Sequence, residues 1–318
     1  MKLKQLCVLL SLVSGLAWAQ DYPSKPIRIV VPYPPGGVTD VAARLVAPKM
    51  SETLGQPIII ENQPAAGGVV ATNALARSAP DGYNLGVVFD SFATNPFLYK
   101  GVTHDPLKDF VPISLMVRSP QLLVVHPSKG IKTIQDLLAQ GKEKNKIFFS
   151  TPGAGTSSRL SAELLKSTAN IDITLVSYRG GAAALNDLLG GQVTGMIASM
   201  ALVLPHVQSG KLRALAVIES SRAKAAPQIP TLEEAGFGGA TMPDTWIGYF
   251  GPRGLSAPIT RQLNGWIQQA SQANDVRPRL EAAGYEVGGG TPEQFVDKIR
   301  QTNENYRRIV AAADIKPE

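Results

Sequence analysis

Three segments join a β-branched run to a glycine-bearing turn and then to a helix-like pattern. Residues 27–32 run into Pro35-Gly36-Gly37-Val38-Thr39-Asp40, residues 147–150 into Thr151-Pro152-Gly153-Ala154-Gly155-Thr156-Ser157, and residues 173–178 into Arg179-Gly180-Gly181. Such a turn aims unpaired backbone N–H groups, and the positive end of a helix dipole, past the carboxyl end of a strand, which suits an anion. Gly36, Gly37 and Val38 are the candidate donors of the first turn, where glycine lets a ligand approach the backbone. Gly67 and Gly68 offer a further donor. In the second turn one hydroxyl of Thr156 and Ser157 must cap the helix, and the other, with nearby N–H groups, is a candidate carboxylate ligand. Arg159 is either a counter-ion or a solvated surface residue. Asp40, in a first helical turn, favours the dipole but would repel an anion, so it reads as structural. Anion sites in different parts of one chain suggest a cleft that closes on a small acid.

Other chemistries find little support. The spacing Gly153-x-Gly155 matches half of a dinucleotide fingerprint, but Ser158 stands at the third glycine position, so no nucleotide cofactor is expected. The histidines, His104, His126 and His206, lack metal-ligand spacing, and no Gly-x-Ser-x-Gly elbow occurs. The one cysteine, Cys7, precedes or lies in an apolar leader. An exported hydrolase is the enzyme-class alternative, and a non-catalytic binding protein is favoured. The net charge of +6 is mild, and no Lys/Arg run interleaved with aromatics points to nucleic acid.

The leader places the protein. Lys2 and Lys4 precede an apolar stretch over residues 6–16, and Ala17-Trp18-Ala19 fits signal peptidase, with cleavage after Ala19. The stretch is too short to span a bilayer. Residues 1–19 are therefore read as a signal peptide, and the remainder as a soluble, periplasmic, monomeric protein without cysteine.

Strands alternate with helix patterns, which predicts an α/β protein with mainly parallel sheets. Strands are expected over residues 27–32, 57–61, 84–89, 121–126, 146–150, 173–176, 194–197, 212–218 and 245–251. Helices are expected over 39–54, 69–76, 134–140, 158–169 and 182–189, and a further one opens at Thr291-Pro292-Glu293-Gln294. Thr133 and Asp136 fit a capping box. Residues 95–112 and 223–245 carry proline and polar residues without periodicity and serve as crossovers. They divide the chain into a discontinuous first lobe (20–105 and 240–318) and a second lobe (106–239).

The motifs Val31-Pro32-Tyr33-Pro34-Pro35-Gly36-Gly37-Val38-Thr39-Asp40, Glu61-Asn62-Gln63-Pro64-Ala65-Ala66-Gly67-Gly68, Pro80-Asp81-Gly82-Tyr83, Asn95-Pro96-Phe97-Leu98-Tyr99, Ser177-Tyr178-Arg179-Gly180-Gly181 and Leu188-Leu189-Gly190-Gly191-Gln192-Val193 follow in order. Together they resemble the Bug proteins, periplasmic substrate-binding receptors of tripartite tricarboxylate transporters. The resemblance implies a two-lobed periplasmic binding protein, type II-like, a Venus flytrap without catalytic activity or cofactor. It would bind a small carboxylate (a di- or tricarboxylate, an aromatic acid or an amino acid) and present it to membrane transporter subunits. Docking on a sensor kinase is the alternative.

The resemblance also places Tyr178 and Gly180 near the ligand; Ser91, Thr151 and Ser199 are further candidates. Where relatives often carry an acidic residue, this chain has Ala198-Ser199. Asp90 precedes Ser91 in a turn that is usually neutral, and Asp244 stands before Trp246. If Asp90 or Asp244 faces the cleft, the ligand could carry an ammonium group beside its carboxylate; the plainer reading is an exposed loop carboxylate. Pro48, inside the first helix, has no functional account.

Overall fold

The structure, a computed structural model, describes residues 22–64, 68–99, 101–153, 155–240, 242 and 245–312. The expected leader, Gly67 and Asp244 lie outside the described residues. The chain runs β1 (Ile27–Val31), α1 (Val38–Leu54), β2 (Ile58–Asn62), α2 (Val69–Ala76), β3 (Asn84–Phe89), α3 (Ser91–Leu98) and β4 (Phe110–Ser119). The middle holds β5 (Gln121–Val125), α4 (Ile134–Gln140), β6 (Ile147–Thr151), α5 (Ser157–Ala169), β7 (Ile173–Ser177), α6 (Gly181–Leu189), β8 (Gly195–Ser199), α7 (Met200–Gln208) and β9 (Arg213–Val217). The last part holds β10 (Thr245–Pro252), α8 (Ala257–Gln272), α9 (Arg277–Ala282), β11 (Glu286–Val287) and α10 (Pro292–Ala312).

Two sheets organise these elements into two lobes. The first is six-stranded, in the order β11-β4-β10-β3-β1-β2, and the second five-stranded, in the order β7-β6-β8-β5-β9. Each combines a parallel half with an antiparallel half. In the first sheet β1 pairs parallel with β2 and β3, while β10 runs antiparallel to β3 and β4. In the second, β6 pairs parallel with β7 and β8, while β5 runs antiparallel to β8 and β9. Parallel pairing therefore does not predominate as the strand–helix alternation predicts. The strands that carry the chain between sheets enter without an intervening helix, so they pair against the grain of their neighbours.

Sheet membership changes at Pro120, between β4 and β5, and again between β9 and β10. The first change falls later than the crossover expected near residue 105, because β4 lies wholly in the first sheet. Proline at position 112 conceals that strand: Pro112 faces Phe250 beside a register shift at Tyr249/Phe250, an irregular site where a missing N–H is tolerated.

Each lobe has its own core. Ile27, Ile29, Val46, Leu263 and Ile267 pack between the first sheet and helices α1 and α8, and Trp246, Phe250, Phe295 and Phe92 fill its other face. Leu123, Phe149, Leu160 and Ile197 fill one face of the second sheet, and Met196, Val203 and Leu188 the other. Helix α10 joins the two. Its Phe295 and Ile299 pack in a first-lobe cluster, and its Tyr306 packs in a second-lobe core. The Thr133–Asp136 capping box forms, and Thr291 and Gln294 exchange the same pair of bonds at the start of α10.

One buried histidine makes the first lobe sensitive to acid. His104, 6% exposed, stacks on Phe92 and meets Phe110 edge-on. Its Nδ1 lies 2.7 Å from Asn73 Oδ1, so Nδ1 carries the proton, and Nε2 has no hydrogen-bond partner among the described residues. Burial pushes its pKa below the ordinary histidine value, outweighing Asp109 and Asp105. The unfolded chain takes up a proton near pH 6.5 and the fold resists it, so this stability is complete above that pH and is lost below it. Urea midpoints at pH 7.5 and pH 5 will therefore differ more in the wild type than in His104→Gln. An unchanged difference would place the acid sensitivity elsewhere.

Candidate anion-binding cleft

Every βα unit starts its helix at the carboxyl end of a strand, and the two lobes turn those ends toward one another. A cavity of about 870 Å³ lies between them. Among the described residues, six helices begin on its wall. From the first lobe come Gly37, Val38 and Thr39 of α1, Gly68 of α2 and Ser91 of α3; from the second come Thr156 and Ser158 of α5, Gly180 to Ala183 of α6, and Ser199 of α7. Each such end carries up to about half a positive charge and N–H groups without an intrahelical partner. No carboxylate lines the cavity among the described residues, and its one ionised side chain is Arg179, exposed in the β7–α6 turn. The wall is a set of donors with little to answer them.

Of the residues singled out in the sequence, Gly37, Val38, Ser91, Gly155, Thr156, Tyr178, Gly180 and Ser199 line this cavity. Several are already engaged. Gly155 donates its N–H to Tyr99 Oη at 3.2 Å and accepts from Thr94 Oγ1 at 3.0 Å, tying α3 to the turn before α5. A Cβ on Gly155 would lie 2.6 Å from Tyr99 Cε2, so glycine permits that approach. Thr156 is the N-cap of α5, accepting from Arg159 N at 3.4 Å and donating to Gly153 O at 2.8 Å. The Ser199 hydroxyl donates to Ser119 Oγ at 2.6 Å. Tyr178 donates to Asp187 Oδ2 at 2.5 Å, and that bond, with lesser help from burial, pushes its pKa up to about 12.

Four candidates fall off the wall. Gly36 donates its N–H to Asp40 Oδ2 at 2.9 Å; Asp40 also pairs with Arg44 at 2.8 Å and accepts from Asn62 at 3.0 Å, so this carboxylate serves the turn. Thr151 is buried at the end of β6, and its hydroxyl turns to Val176 O. Ser157 points inward to Asp90, and Ser158 lines the cavity in its place, because one residue along a helix rotates a side chain by about 100°. Arg159 runs along α5 toward Glu163 at 3.9 Å. Gly67 and Asp244 are undescribed.

Asp90 fits neither sequence expectation. It is 0% exposed, lies off the cavity wall, and accepts from Tyr306 Oη at 2.9 Å and Ser157 Oγ at 3.4 Å. One carboxylate thus ties the end of β3 to α10 and to the second lobe. Removing a donor from a buried carboxylate costs ~1.5–3 kcal/mol, so Tyr306→Phe will lower the melting temperature by several degrees. A wild-type melting curve for the variant would show that Asp90 is held by its other partners.

Sequence reasoning passed over Tyr33, Asn95, Tyr99, Ser158, Arg179, Asn186 and Leu202, all on the wall. Tyr33 and Arg179 sit inside the quoted motifs, beside the glycines that drew notice. Asn95 and Tyr99 lie where a crossover is expected, although Phe92, Asn95 and Tyr99 recur at helical spacing. Burial pushes the Tyr33 phenol well above its ordinary pKa, and its oxygen lies 3.0 Å from Ser91 Oγ.

The family model of the tripartite tricarboxylate transporter family receptor matches residues 42–315. The chain belongs to this family. It is 36% identical over 301 residues to Protein BugT of Bordetella pertussis, covering 94% of this chain and 92% of that one. Among solved structures, Rpa4515 of R. palustris, described with adipate, superposes with a TM-score of 0.90 at 30% identity, covering 94% of this chain and all of the other. MatC (Rpa3494) from Rhodopseudomonas palustris, with bound malate, gives 0.85 at 32% identity, covering 91% and 100%. The periplasmic binding protein BugD gives 0.87 at 31%, covering 93% and 100%. The family fold is a periplasmic binding protein fold, and among the described residues no helix is long and apolar enough to cross a membrane.

Proposed function

We propose that this family receptor is exported through its leader, holds a small carboxylate between its lobes by closing on it, and presents it to membrane transporter subunits. The observation that carries the reading is the convergence of six helix N-termini on a cavity with no carboxylate among its described lining residues. Charge-assisted hydrogen bonds contribute ~1.5–3 kcal/mol each, and a micromolar ligand needs ~8 kcal/mol net. A few donors at the ends of α1, α5 and α6 supply that without a buried arginine clamp. Carboxylates held by the solved relatives, adipate and malate, agree with it. The lobes follow the two sheets, and the connections through Pro120 and between β9 and β10 act as the hinge. No chemistry is asked of the cleft: the solute leaves unchanged.

A thermal-shift screen of protein stripped of solute by unfolding and refolding tests the reading. A carboxylate at 100 times its dissociation constant adds about 2.7 kcal/mol, and the matching amide adds nothing. Stabilisation by amides in preference to their acids would overturn it.

A further inference from the structure

We propose that Ser119 is a positioning residue for solute capture, holding a wall of the second lobe on the first lobe at the pivot of closure. The inference rests on the lobe-closure reading and names the group that sets the closing angle. Ser199 is the N-cap of α7 and lines the cavity, yet its side chain makes no capping bond to its own helix. The capping is done from the other lobe. Ser119, the last residue of β4, accepts the N–H of Ala201 on its Oγ at 3.2 Å, and Pro120 O accepts the N–H of Met200 at 2.6 Å. The first two N–H groups of α7 are therefore committed to the interlobe connection.

A serine hydroxyl has one proton to give and two lone pairs, and Ser119 uses them all. Its Oγ accepts from Ser199 Oγ at 2.6 Å and from Ala201 N, and donates to Gly284 O at 3.3 Å. Its carbonyl accepts from Thr245 Oγ1 at 2.6 Å, where the second connection enters β10. Ser119, Ser199 and Thr245 are all buried, so a partner orphaned here is costly. The first lobe comes close at this point: a Cβ on Gly284 would lie 3.1 Å from Ala201 N. The next residue, Tyr285, donates from Oη to Val38 O at 2.6 Å, at the start of α1 on the facing wall. One buried knot thus touches both connections and a helix start from each wall. It fixes the two walls at the connections and leaves the rim, where Gly180 faces Pro34, to open and close. Without the hydroxyl the unliganded lobes take a wider set of angles, and apparent affinity falls with the fraction competent to bind.

Spin labels at Ala74→Cys and Ser167→Cys, exposed on α2 and α5, report the interlobe distance by pulsed electron resonance. The one natural cysteine, Cys7, lies in the leader. In the unliganded, stripped protein the distance distribution is expected to be roughly doubled in width by Ser119→Ala, with Ser199→Ala broadened in the same sense. Ser114→Ala, the same change at another buried position of β4, is expected to leave the width as it is. Adipate and malate are expected to bind Ser119→Ala about fivefold more weakly than the wild type. Wild-type width in both Ser119→Ala and Ser199→Ala overturns the proposal, whatever either acid does. Should Ser119→Ala fail to fold, Ser199→Ala decides alone. Broadening with unchanged affinity for an acid that the wild type binds also overturns it, because the knot would then play no part in capture. Expected broadening with neither acid bound by the wild type counts against the carboxylate reading and leaves the pivot standing.

Discussion

Ala183→Asp will weaken carboxylate binding about a hundredfold and leave the fold at least as stable as before. Ala183 is the third residue of α6, exposed and on the cavity wall. An aspartate in a first helical turn adds ~0.3–1 kcal/mol to helix stability. The same charge sits among the helix ends that are to receive the ligand. Two like charges about 6 Å apart, at an effective dielectric of about 20, repel by ~3 kcal/mol, which is roughly a hundredfold in affinity. The new carboxylate also occupies N–H groups the ligand needs. Calorimetry and urea denaturation on one preparation check both halves. Opposite signs are the diagnostic feature, because a variant that merely damaged the fold would lose both. Undiminished carboxylate binding would remove α6 from the site.

Gly180→Ala will damage both. Gly180, the N-cap of α6, has φ +108 and ψ 167, a region open essentially to glycine, and a side chain held there costs ~1–3 kcal/mol. A Cβ would also lie 3.3 Å from Pro34 Cγ, in the β1–α1 turn of the other lobe. The added methyl therefore strains the turn that aims α6 and presses on the facing lobe at the cleft. Stability should fall by ~1–3 kcal/mol and carboxylate affinity at least tenfold. Gly238→Ala, with open space around the new methyl, is the control and should change neither. Wild-type affinity in Gly180→Ala would show that α6 and Pro34 need no close approach to hold ligand.

Much of this architecture was legible from local signals. The strands of the βα units and the helices over residues 69–76 and 134–140 follow from β-branched runs and from the Thr133–Asp136 box, since burial and capping there act over a few residues. What escaped was hidden by proline. Pro112 masks β4, Pro96 masks α3 and Pro205 masks α7, each tolerated through tertiary context that a sequence window does not hold. The glycine turns announced the helix ends, and the structure gathers them on one cavity. The side chains were less legible. Whether Ser157 or Ser158 reaches the cavity depends on the phase of α5. Whether Asp90 faces ligand depends on Tyr306, more than two hundred residues away in sequence. Tyr33 and Tyr99 read as ordinary turn aromatics until the structure sets them on the cavity wall with their phenols engaged.

The most direct measurement is a crystal structure of the stripped protein grown with the most stabilising acid of the thermal-shift screen. The expected result is the carboxylate between the lobes, its oxygens about 2.7–3.2 Å from backbone N–H groups at the starts of α1, α5 or α6. An acid bound outside this cavity, or bound within it with its carboxylate turned away from every helix start, would contradict the account.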